Sequence, residues 1–214
     1  MEPSGRIVIA GGTGFLGLSL ARHLETLGCE VVLISRHAPA DAAPGRHARW
    51  DGRSVGDWAR HLDGAAALVN LAGRSVDCVK TPDHRDQILR SRIESTRALG
   101  EAMRSVDAPP ATWVQMSTAH IYGDPPRAIC DEDAAFGYGL APFVGQAWEQ
   151  AFADAVPEGV RGVVLRTSFV LGWGGGAFPQ LALYGRYCVS RRLEEEGFRF
   201  QHPDLASALR DLCA

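Results

Sequence analysis

The sequence predicts an α/β fold, a Rossmann-like doubly wound parallel sheet with helices on both faces. Two observations predict it. Short β-branched runs alternate along the chain with longer segments of helical periodicity. The first of these runs, Ile7–Ile9, leads directly into glycines at 11, 14 and 17, after which a leucine-rich helical pattern begins. A strand, a glycine-rich turn and a helix in this order are typical of dinucleotide-binding folds.

Each of the three glycines has a predicted physical role. Gly11 allows the tight turn out of the strand, and Gly14 removes the side chain that would keep a pyrophosphate from the backbone. Gly17 lets the helix pack closely on the strand. The N-terminus of this helix offers unpaired N–H groups and a positive dipole end to the phosphates. The alternative is a strand–turn–helix connection without a ligand, because glycine is also the usual turn residue.

The remaining elements follow in chain order. Helices are predicted over residues 16–27, 85–104 and 143–155. Further strands are predicted over residues 31–34, 48–50, 67–70, 113–117 and 162–166. Gly28 ends the first helix, and Asp107 with the Pro109–Pro110 pair ends the second. The regular alternation favours a parallel sheet that is covered by helices.

The composition bounds the class of protein. A chain of 214 residues with 46% hydrophobic and 22% charged residues suits one large domain, with or without a small appendage. The net charge is −3 and the basic residues are scattered, so we expect no nucleic-acid partner. The odd number of cysteines, five, and the absence of a C-x-x-C pair favour cytosolic thiols over disulfides. Without an apparent leader or a membrane-spanning apolar run, we expect a cytoplasmic protein with no membrane contact.

The end of the second predicted strand bears on the choice of dinucleotide. Folds that favour NAD often carry an acidic residue there, which accepts hydrogen bonds from the ribose 2′-hydroxyl. This chain has Ser35 and Arg36 instead. Arg36, with Arg53 as a second candidate, could pair bidentately with a 2′-phosphate. The sequence therefore favours NADP(H) over NAD(H), and the alternative is a solvated arginine after an edge strand.

Short motifs in a fixed order extend this interpretation over nearly the whole chain. They are GGTGFLG (11–17), NLAG (70–73), SRIEST (91–96), STAHIYG (117–123), Trp148-Glu149, LRTSFVLG (165–172), and GFRFQHPDL (197–205) with Ala208-Leu209. In this order and spacing the chain resembles the extended short-chain dehydrogenase/reductase superfamily. Within it, the chain is similar to the "epimerase family protein" group, whose members are described as nucleoside-diphosphate-sugar epimerase-like.

The resemblance implies where a nicotinamide cofactor would bind. It implies that Asp51 lies near the adenine ring, and that Asn70, Ala72 and Gly73 lie along the ribose and phosphate edge. The other residues that the matching motifs predict at the cofactor are Thr13, Phe15, Leu16, Leu71, Ser117, Arg166 and Ser168. By position, Thr118 falls where the catalytic Ser/Thr hydroxyl of the superfamily hydrogen-bonds the reacting oxygen.

The chain departs from the superfamily at the proton donor. The Tyr-x-x-x-Lys pair, in which the lysine lowers the tyrosine pKa for proton transfer, is replaced by Ala141 and Gly145. His120 is one candidate donor, because imidazole titrates near neutrality and this residue follows the carboxyl end of a strand. Tyr138 is another. The alternatives are a solvated histidine and an ordinary loop tyrosine.

The second departure concerns the C-terminal region. Similar proteins continue after the equivalent of Gly174–Pro179 through a mostly helical substrate-binding region, which is largely absent from this sequence. The prediction is a cofactor-binding domain over residues 1–178 and a remnant of the C-terminal region over 179–214, with a seam near Phe178–Leu181. Either the chain carries a genuine internal deletion there, or the sequence omits a stretch of the protein.

Two functions from different classes follow. One is an NADP(H)-dependent oxidoreductase or epimerase-like enzyme that acts on a carbonyl or alcohol of a small polar substrate, with nucleotide sugars as one class. Its catalytic residues would be Thr118 with His120 or Tyr138. The other is a non-catalytic NADP(H)-binding sensor or interaction module. We expect a small-molecule partner in the first case, and a homodimer would be one way to bury apolar surface that the missing region leaves exposed.

Overall fold

The main sheet consists of parallel strands, and the side on which the chain adds successive strands changes once, at the centre of the sheet. The computed structural model describes residues 4–39, 43–124, 129–172, 175–176 and 187–213. Its strands are β1 (Arg6–Ala10), β2 (Glu30–Ser35), β3 (Arg46–Arg49), β4 (Ala67–Asn70), β5 (Thr112–Thr118), β6 (Ile129–Cys130), β7 (Arg161–Thr167), β8 (Leu171–Gly172), β9 (Gly175–Gly176) and β10 (Tyr187–Cys188). Its helices are α1 (Phe15–Thr26), α2 (Pro82–Arg104), α3 (Leu140–Ala155), α4 (Arg191–Glu195) and α5 (Leu205–Cys213).

Six of these strands form one sheet in the order β3-β2-β1-β4-β5-β7, and all of its pairs are parallel. The chain adds β2 and β3 on one side of β1, and then β4, β5 and β7 on the other. Ligands of open α/β sheets bind at the carboxyl ends of the strands where this order reverses. The predicted Rossmann-like fold is confirmed, and its reversal point lies between β1 and β4.

The two faces of the sheet have separate cores. On one face, α1 packs over Ile9, Val31 and Leu33. On the other face, Leu99 of α2 and Phe152 of α3 pack around Trp113, which is fully buried and meets the Phe152 ring edge-on. Both faces of β1 are therefore apolar, as expected for a central parallel strand.

Helix α2 begins three residues before its predicted start, and local capping explains why. The Thr81 hydroxyl accepts a hydrogen bond from the backbone N–H of His84 at 3.2 Å, and Pro82 occupies the first helical position. A threonine cap followed by proline is a strong helix start, because the proline lacks an N–H that would be unpaired there. One face of the helix, which carries Asp86, Arg90 and Glu94, lies toward the reversal point of the sheet.

The C-terminal segment attaches to the loop after β5 mainly through polar contacts. β10 pairs with β6, so that Cys188 lies beside Cys130. The Arg191 Nε lies 3.1 Å from a carboxylate oxygen of Asp131, and Arg191 also pairs with Asp133. The predicted domain boundary at 178/179 and the predicted seam near Phe178–Leu181 lie outside the described residues. Among the helices of the described ranges, none combines the length and the apolar character needed to cross a bilayer.

His61 gives the fold a predicted sensitivity to acid. It is buried beside Trp58 and Leu62, and burial lowers its pKa below the usual range, with Arg60 adding to the effect. The unfolded chain therefore binds a proton near the ordinary pKa of about 6.5, before the folded chain does. We expect the free energy of unfolding to fall as the pH decreases from about 7 to 5. Urea unfolding across this pH range should show a weaker dependence in His61→Gln and an unchanged one in the control at exposed His23, His23→Gln; equal slopes in all three proteins would contradict this prediction.

Candidate functional site

A cavity of about 840 Å³ opens at the carboxyl ends of β1 to β4, at the reversal point of the sheet. The turns after these four strands form most of its wall, and the outer face of α2 closes one side. The residues that line it are Gly11, Thr13, Gly14, Ser35, Arg36, His37, Arg49, Trp50, Asp51, Gly52, Arg53, Leu71, Ala72, Gly73, Arg74, Asp86, Gln87, Arg90, Ser91, Glu94 and Ser95.

The glycine turn after β1 leaves room where a phosphate would approach. Gly11 has φ +72°, and a Cβ there would lie 2.9 Å from the Cα and N of Ala72. Gly17 packs against the turn itself, since its Cβ would lie 2.5 Å from the Gly12 carbonyl oxygen. Gly14, in contrast, has only the Gly11 carbonyl oxygen, 3.4 Å away, near its Cβ position. The tight turn predicted at Gly11 is confirmed, and a side chain at Gly14 would fill the space beside the backbone.

Helix α1 presents its N-terminus to the same turn. Gly14 is its extended N-cap residue, with no side-chain capping bond and no acidic residue in the first turn. The N–H groups of the first helical turn are therefore left for a ligand, and nothing anionic there opposes a phosphate. This arrangement fits a dinucleotide pyrophosphate. Phe15, Leu16 and Gly17 belong to this helix start and do not line the cavity, so their predicted cofactor contacts stay predictions.

Ser35 ties the turn after β1 to the end of β2. The Thr13 hydroxyl donates to the Ser35 Oγ at 3.0 Å, and Ser35 donates to the backbone carbonyl of His37 at 2.8 Å. The His47 Nε2 on β3 lies 3.0 Å from the same Oγ. The network fixes the backbone on both sides of Arg36, so the structure brings the predicted residues Thr13, Ser35 and Arg36 together on one wall.

Asp51 anchors the turn after β3. Its carboxylate accepts backbone N–H bonds from Arg53 and Ser54, both at 2.9 Å, and the Ser54 hydroxyl at 2.6 Å. The Ser54 hydroxyl bond and these backbone bonds lower the pKa of Asp51, so its carboxylate is charged near neutrality. The Arg53 Nε lies 3.8 Å from Asp51. Asp51 thus lines the cavity, where the family resemblance implies an adenine contact.

Asn70 shapes the turn after β4 from inside the sheet. It is fully buried, and its amide donates to the Gln115 Oε1 at 2.9 Å and to the Thr96 hydroxyl at 3.2 Å. Its Oδ1 accepts the backbone N–H of Ala72 at 3.0 Å. Asn70 therefore acts on the cavity through the backbone, while Leu71, Ala72 and Gly73 line it directly.

Thr118 and His120 come together at the carboxyl end of β5, the strand next to β4. The Thr118 Oγ1 accepts the backbone N–H of His120 at 3.1 Å and lies 3.2 Å from the His120 Nδ1. Phe169 packs edge-on against the imidazole, with 5.2 Å between the ring centroids. Both polar side chains are half-buried. Neither residue lines the cavity, so the catalytic roles predicted for Thr118 and His120 stay predictions.

The positions of the missing Tyr-x-x-x-Lys pair lie in the first turns of α3. A Cβ at Gly145 would lie 3.1 Å from the Cγ1 of the fully buried Ile121. A lysine at this position would therefore require Ile121 to shift by a few tenths of an ångström. Tyr138 precedes the helix and is 98% exposed. The structure does not bring Tyr138 together with the Thr118–His120 pair, and its proton-donor role stays a prediction.

Ser117, Arg166 and Ser168 lie away from the cavity. Arg166 forms a two-bond ion pair with Glu149 at 2.8 and 2.9 Å, and Ser117 donates to the same carboxylate at 2.5 Å. Arg166 also donates to the Tyr122 hydroxyl at 2.9 Å. Ser168 is exposed beyond the end of β7. The predicted cofactor contacts of all three residues stay predictions, whereas Ser117 and Arg166 link β5 and β7 to Glu149 of α3.

Sequence reasoning missed several residues of the cavity, among them His37, Arg49, Arg74 and Arg90. Arg49 had a detectable signal. It is the last residue of β3, and parallel pairing places it opposite Ser35, the last residue of β2. An alignment of the two strand ends would have found it.

Dinucleotides bind across the reversal point of such a sheet, and the open glycine turn lies there, so the class is a Rossmann-type dinucleotide-binding protein. The family model for the NAD dependent epimerase/dehydratase family matches residues 7–183. The chain belongs to that family, and the predicted resemblance is confirmed. A further family model, for a domain of unknown function (DUF1731), matches residues 167–212.

Relatives and solved structures agree with this assignment. The chain is 34% identical over 185 residues to the human epimerase family protein SDR39U1, covering 83% of this chain and 59% of the human protein. The crystal structure of human SDR39U1 (isoform 2) with NADPH matches at TM-score 0.70 and 31% identity, over 82% of this chain and 58% of that one. The dTDP-6-deoxy-L-talose 4-dehydrogenase (NAD(P)(+)) of Kitasatospora kifunensis is 32% identical over 217 residues, covering 96% and 65%. The chain thus spans less than two thirds of each of these proteins.

Proposed function

We propose that the protein is an NADP(H)-dependent oxidoreductase or epimerase-like enzyme that acts on a carbonyl or alcohol carbon of a small polar substrate. The observation that carries this proposal is the pair of Thr118 and His120, whose Oγ1 and Nδ1 lie 3.2 Å apart at the carboxyl end of β5, the strand next to β4 at the cavity. The NADPH in the human relative's structure supports the cofactor. The name of the Kitasatospora relative supports nucleotide sugars as the candidate substrate class.

The charge of the cavity supports NADP(H) as the cofactor. The end of β2 offers no carboxylate to a ribose 2′-hydroxyl, and Arg36 lines the cavity beside it. Gly11, Thr13 and Gly14 would hold the pyrophosphate, and Ala72 with Gly73 would face the sugar–phosphate edge. When bound, the cofactor supplies or accepts a hydride at the substrate carbon. The other tasks fall to side chains of this chain.

Thr118 and His120 would divide the work at the substrate oxygen. In the tautomer with its hydrogen on Nδ1, His120 donates both this N–H and its backbone N–H to the Thr118 Oγ1, which leaves the hydroxyl hydrogen available for donation. Donation to the substrate oxygen would orient that oxygen. His120 would exchange the proton, since an imidazole beside the threonine hydroxyl can accept a proton and return it there.

Thr118→Val tests this proposal, because valine keeps the shape of threonine and removes the hydroxyl. We expect turnover to fall roughly hundredfold, as for the loss of one donor that stabilises a reacting oxygen. NADPH affinity should not change. The measurements are NADPH consumption and, with catalytic NADP+, epimer formation, for a panel of carbonyl and hydroxyl compounds that includes nucleotide sugars; Thr112→Val at the other end of β5 is the matched control. If NADPH binds and no compound is reduced or epimerised, the enzyme proposal is wrong, and if turnover is unchanged in Thr118→Val, the role of Thr118 is wrong.

The second candidate is a non-catalytic NADP(H)-binding sensor or interaction module. It is favoured by Ala141 and Gly145 at the positions of the tyrosine and lysine, together with the close approach of Ile121 to Gly145. It predicts cofactor binding without turnover in the same experiment. An upward shift of a cooperative melt by NADPH would then be its positive signature.

A further inference from the structure

We infer that Arg49 determines the cofactor preference: with Arg36 it forms the pair of cations that binds the 2′-phosphate of NADP(H), and Arg53 does not take part. The inference rests on the proposed NADP(H)-dependent function and assigns the phosphate ligands within it. The position, the charge and the surroundings of the three arginines carry it.

Arg49 lies at the end of β3, beside the end of β2. β2 and β3 are parallel, and their register pairs Ser35 with Arg49 at the last residue of each strand. Neighbouring strands lie about 4.8 Å apart. Arg49 therefore leaves the sheet next to the residue that precedes Arg36. Both arginines line the cavity, so two guanidinium groups start from adjacent points of its rim.

The three arginines differ in whether a nearby carboxylate compensates their charge. Arg36 and Arg49 are exposed, and within the described ranges neither forms an ion pair or a side-chain hydrogen bond. Arg53 differs, because its Nε lies 3.8 Å from the charged Asp51. A dianionic phosphate brought to Arg53 would also meet that carboxylate. Repulsion would offset much of the attraction.

Helix α2 brings further charged groups to the cavity. On the opposite wall, Arg90 of α2 lies 2.8 Å from Glu94 and 3.7 Å from Asp86. Arg74 donates to the Gln87 side chain at 2.6 Å. The carboxylates of α2 thus compensate the arginine on their own wall. The unbalanced positive charge of the cavity lies at the ends of β2 and β3.

Arg36 and Arg49 project from backbone that hydrogen bonds hold in place. Thr13, His37 and His47 hold the Ser35 hydroxyl, which fixes the backbone that carries Arg36. Arg49 belongs to a strand that is hydrogen-bonded to β2. The bases of both side chains are therefore fixed before a ligand arrives, which lowers the entropy cost of binding. Two guanidinium groups on fixed bases suit a phosphate, since each can donate two parallel N–H bonds.

The experiment measures NADPH and NADH binding by titration calorimetry for the wild-type chain and for Arg36→Ala, Arg49→Ala, Arg49→Lys and Arg53→Ala. Arg60→Ala, an exposed arginine that does not line this cavity, is the matched control. We expect Arg49→Ala to weaken NADPH binding roughly tenfold or more and to leave NADH binding unchanged. Arg49→Lys should give an intermediate loss, because the charge is kept and the second bond is lost. Arg53→Ala should change NADPH affinity by less than about threefold.

A pair of smaller probes isolates the phosphate. Adenosine 2′,5′-bisphosphate and adenosine 5′-monophosphate differ only in the 2′-phosphate, so their affinity ratio should fall in Arg49→Ala and hold in Arg60→Ala. If the wild-type chain binds NADH as tightly as NADPH, the proposed NADP(H) preference is wrong, and this inference with it. If the wild type prefers NADPH and Arg36→Ala loses the preference while Arg49→Ala keeps it, only the assignment of Arg49 is overturned.

Discussion

Gly11→Ala is expected to weaken cofactor binding by roughly tenfold or more and to lower the free energy of unfolding by about 2–3 kcal/mol. Gly11 has φ +72°, where a residue with a Cβ pays about 1–2 kcal/mol. The new Cβ would also lie 2.9 Å from backbone atoms of Leu71 and Ala72, which cannot rotate away. The turn after β4 would have to move, and with it Ala72 and Gly73 on the cavity wall.

Gly28→Ala is the matched control for this prediction. Gly28 has φ +79°, but nothing lies within 4 Å of its Cβ position. It should therefore show the conformational cost alone, about 1 kcal/mol, with unchanged cofactor affinity. Urea unfolding and NADPH titration of both variants measure the two effects separately. Equal affinities in the two variants would mean that the contact between the turns after β1 and β4 does not shape the site.

Arg166→Met is expected to lower the free energy of unfolding by about 3 kcal/mol. The Arg166 and Glu149 side chains are only 20% and 16% exposed, and two hydrogen bonds at 2.8 and 2.9 Å join them. The bond to Glu149 raises the pKa of Arg166, which keeps the guanidinium charged at every accessible pH. The variant would leave a poorly solvated carboxylate without its partner. It would also remove the hydrogen bond from Arg166 to the Tyr122 hydroxyl. Tyr122 is the last residue of the short helical turn Ala119–Tyr122, which carries His120.

The double variant Arg166→Met/Glu149→Leu separates the cost of the orphaned charge from the value of the pair. Replacing both partners with apolar residues removes the unpaired charge, so the double variant should be more stable than Arg166→Met. Urea midpoints at a constant m-value give the comparison. If the double variant loses as much unfolding free energy as Arg166→Met and Glu149→Leu lose together, the two residues are not energetically coupled. NADPH titration of the same proteins tests the predicted cofactor contact of Arg166.

Elements with local signals were predictable from the sequence. β4 has its predicted bounds, 67–70, because a short apolar run between polar segments specifies a buried strand. Gly28 ends the first helix, as predicted, with a left-handed conformation that glycine adopts without strain. The glycine turn at 11–17 was recognisable because its three glycines, at 11, 14 and 17, lie close together in the sequence.

Residues whose partners lie far along the chain were not predictable in this way. Asn70 carries a strong motif signal, but its amide turns inward because Thr96 and Gln115, 26 and 45 residues away, accept its hydrogen bonds. Arg166 likewise meets Glu149 of α3, 17 residues earlier, away from the cavity. A motif indicates that a polar side chain is needed, whereas only the packed sheet decides which way it points.

Within the described ranges, the C-terminal segment attaches to the loop after β5 mainly through polar contacts. None of the described side chains from 188 to 212 is buried, and the ion pairs of Arg191 and Arg192 are exposed. Such pairs contribute little and are screened by salt. We therefore expect the segment to open at a small fraction of the free energy that unfolds the sheet, and the amides of β1 to exchange only through global unfolding. Cofactor binding at β1 to β4 would then slow the hydrogen exchange of the sheet amides and leave the exchange of the C-terminal amides almost as fast as before.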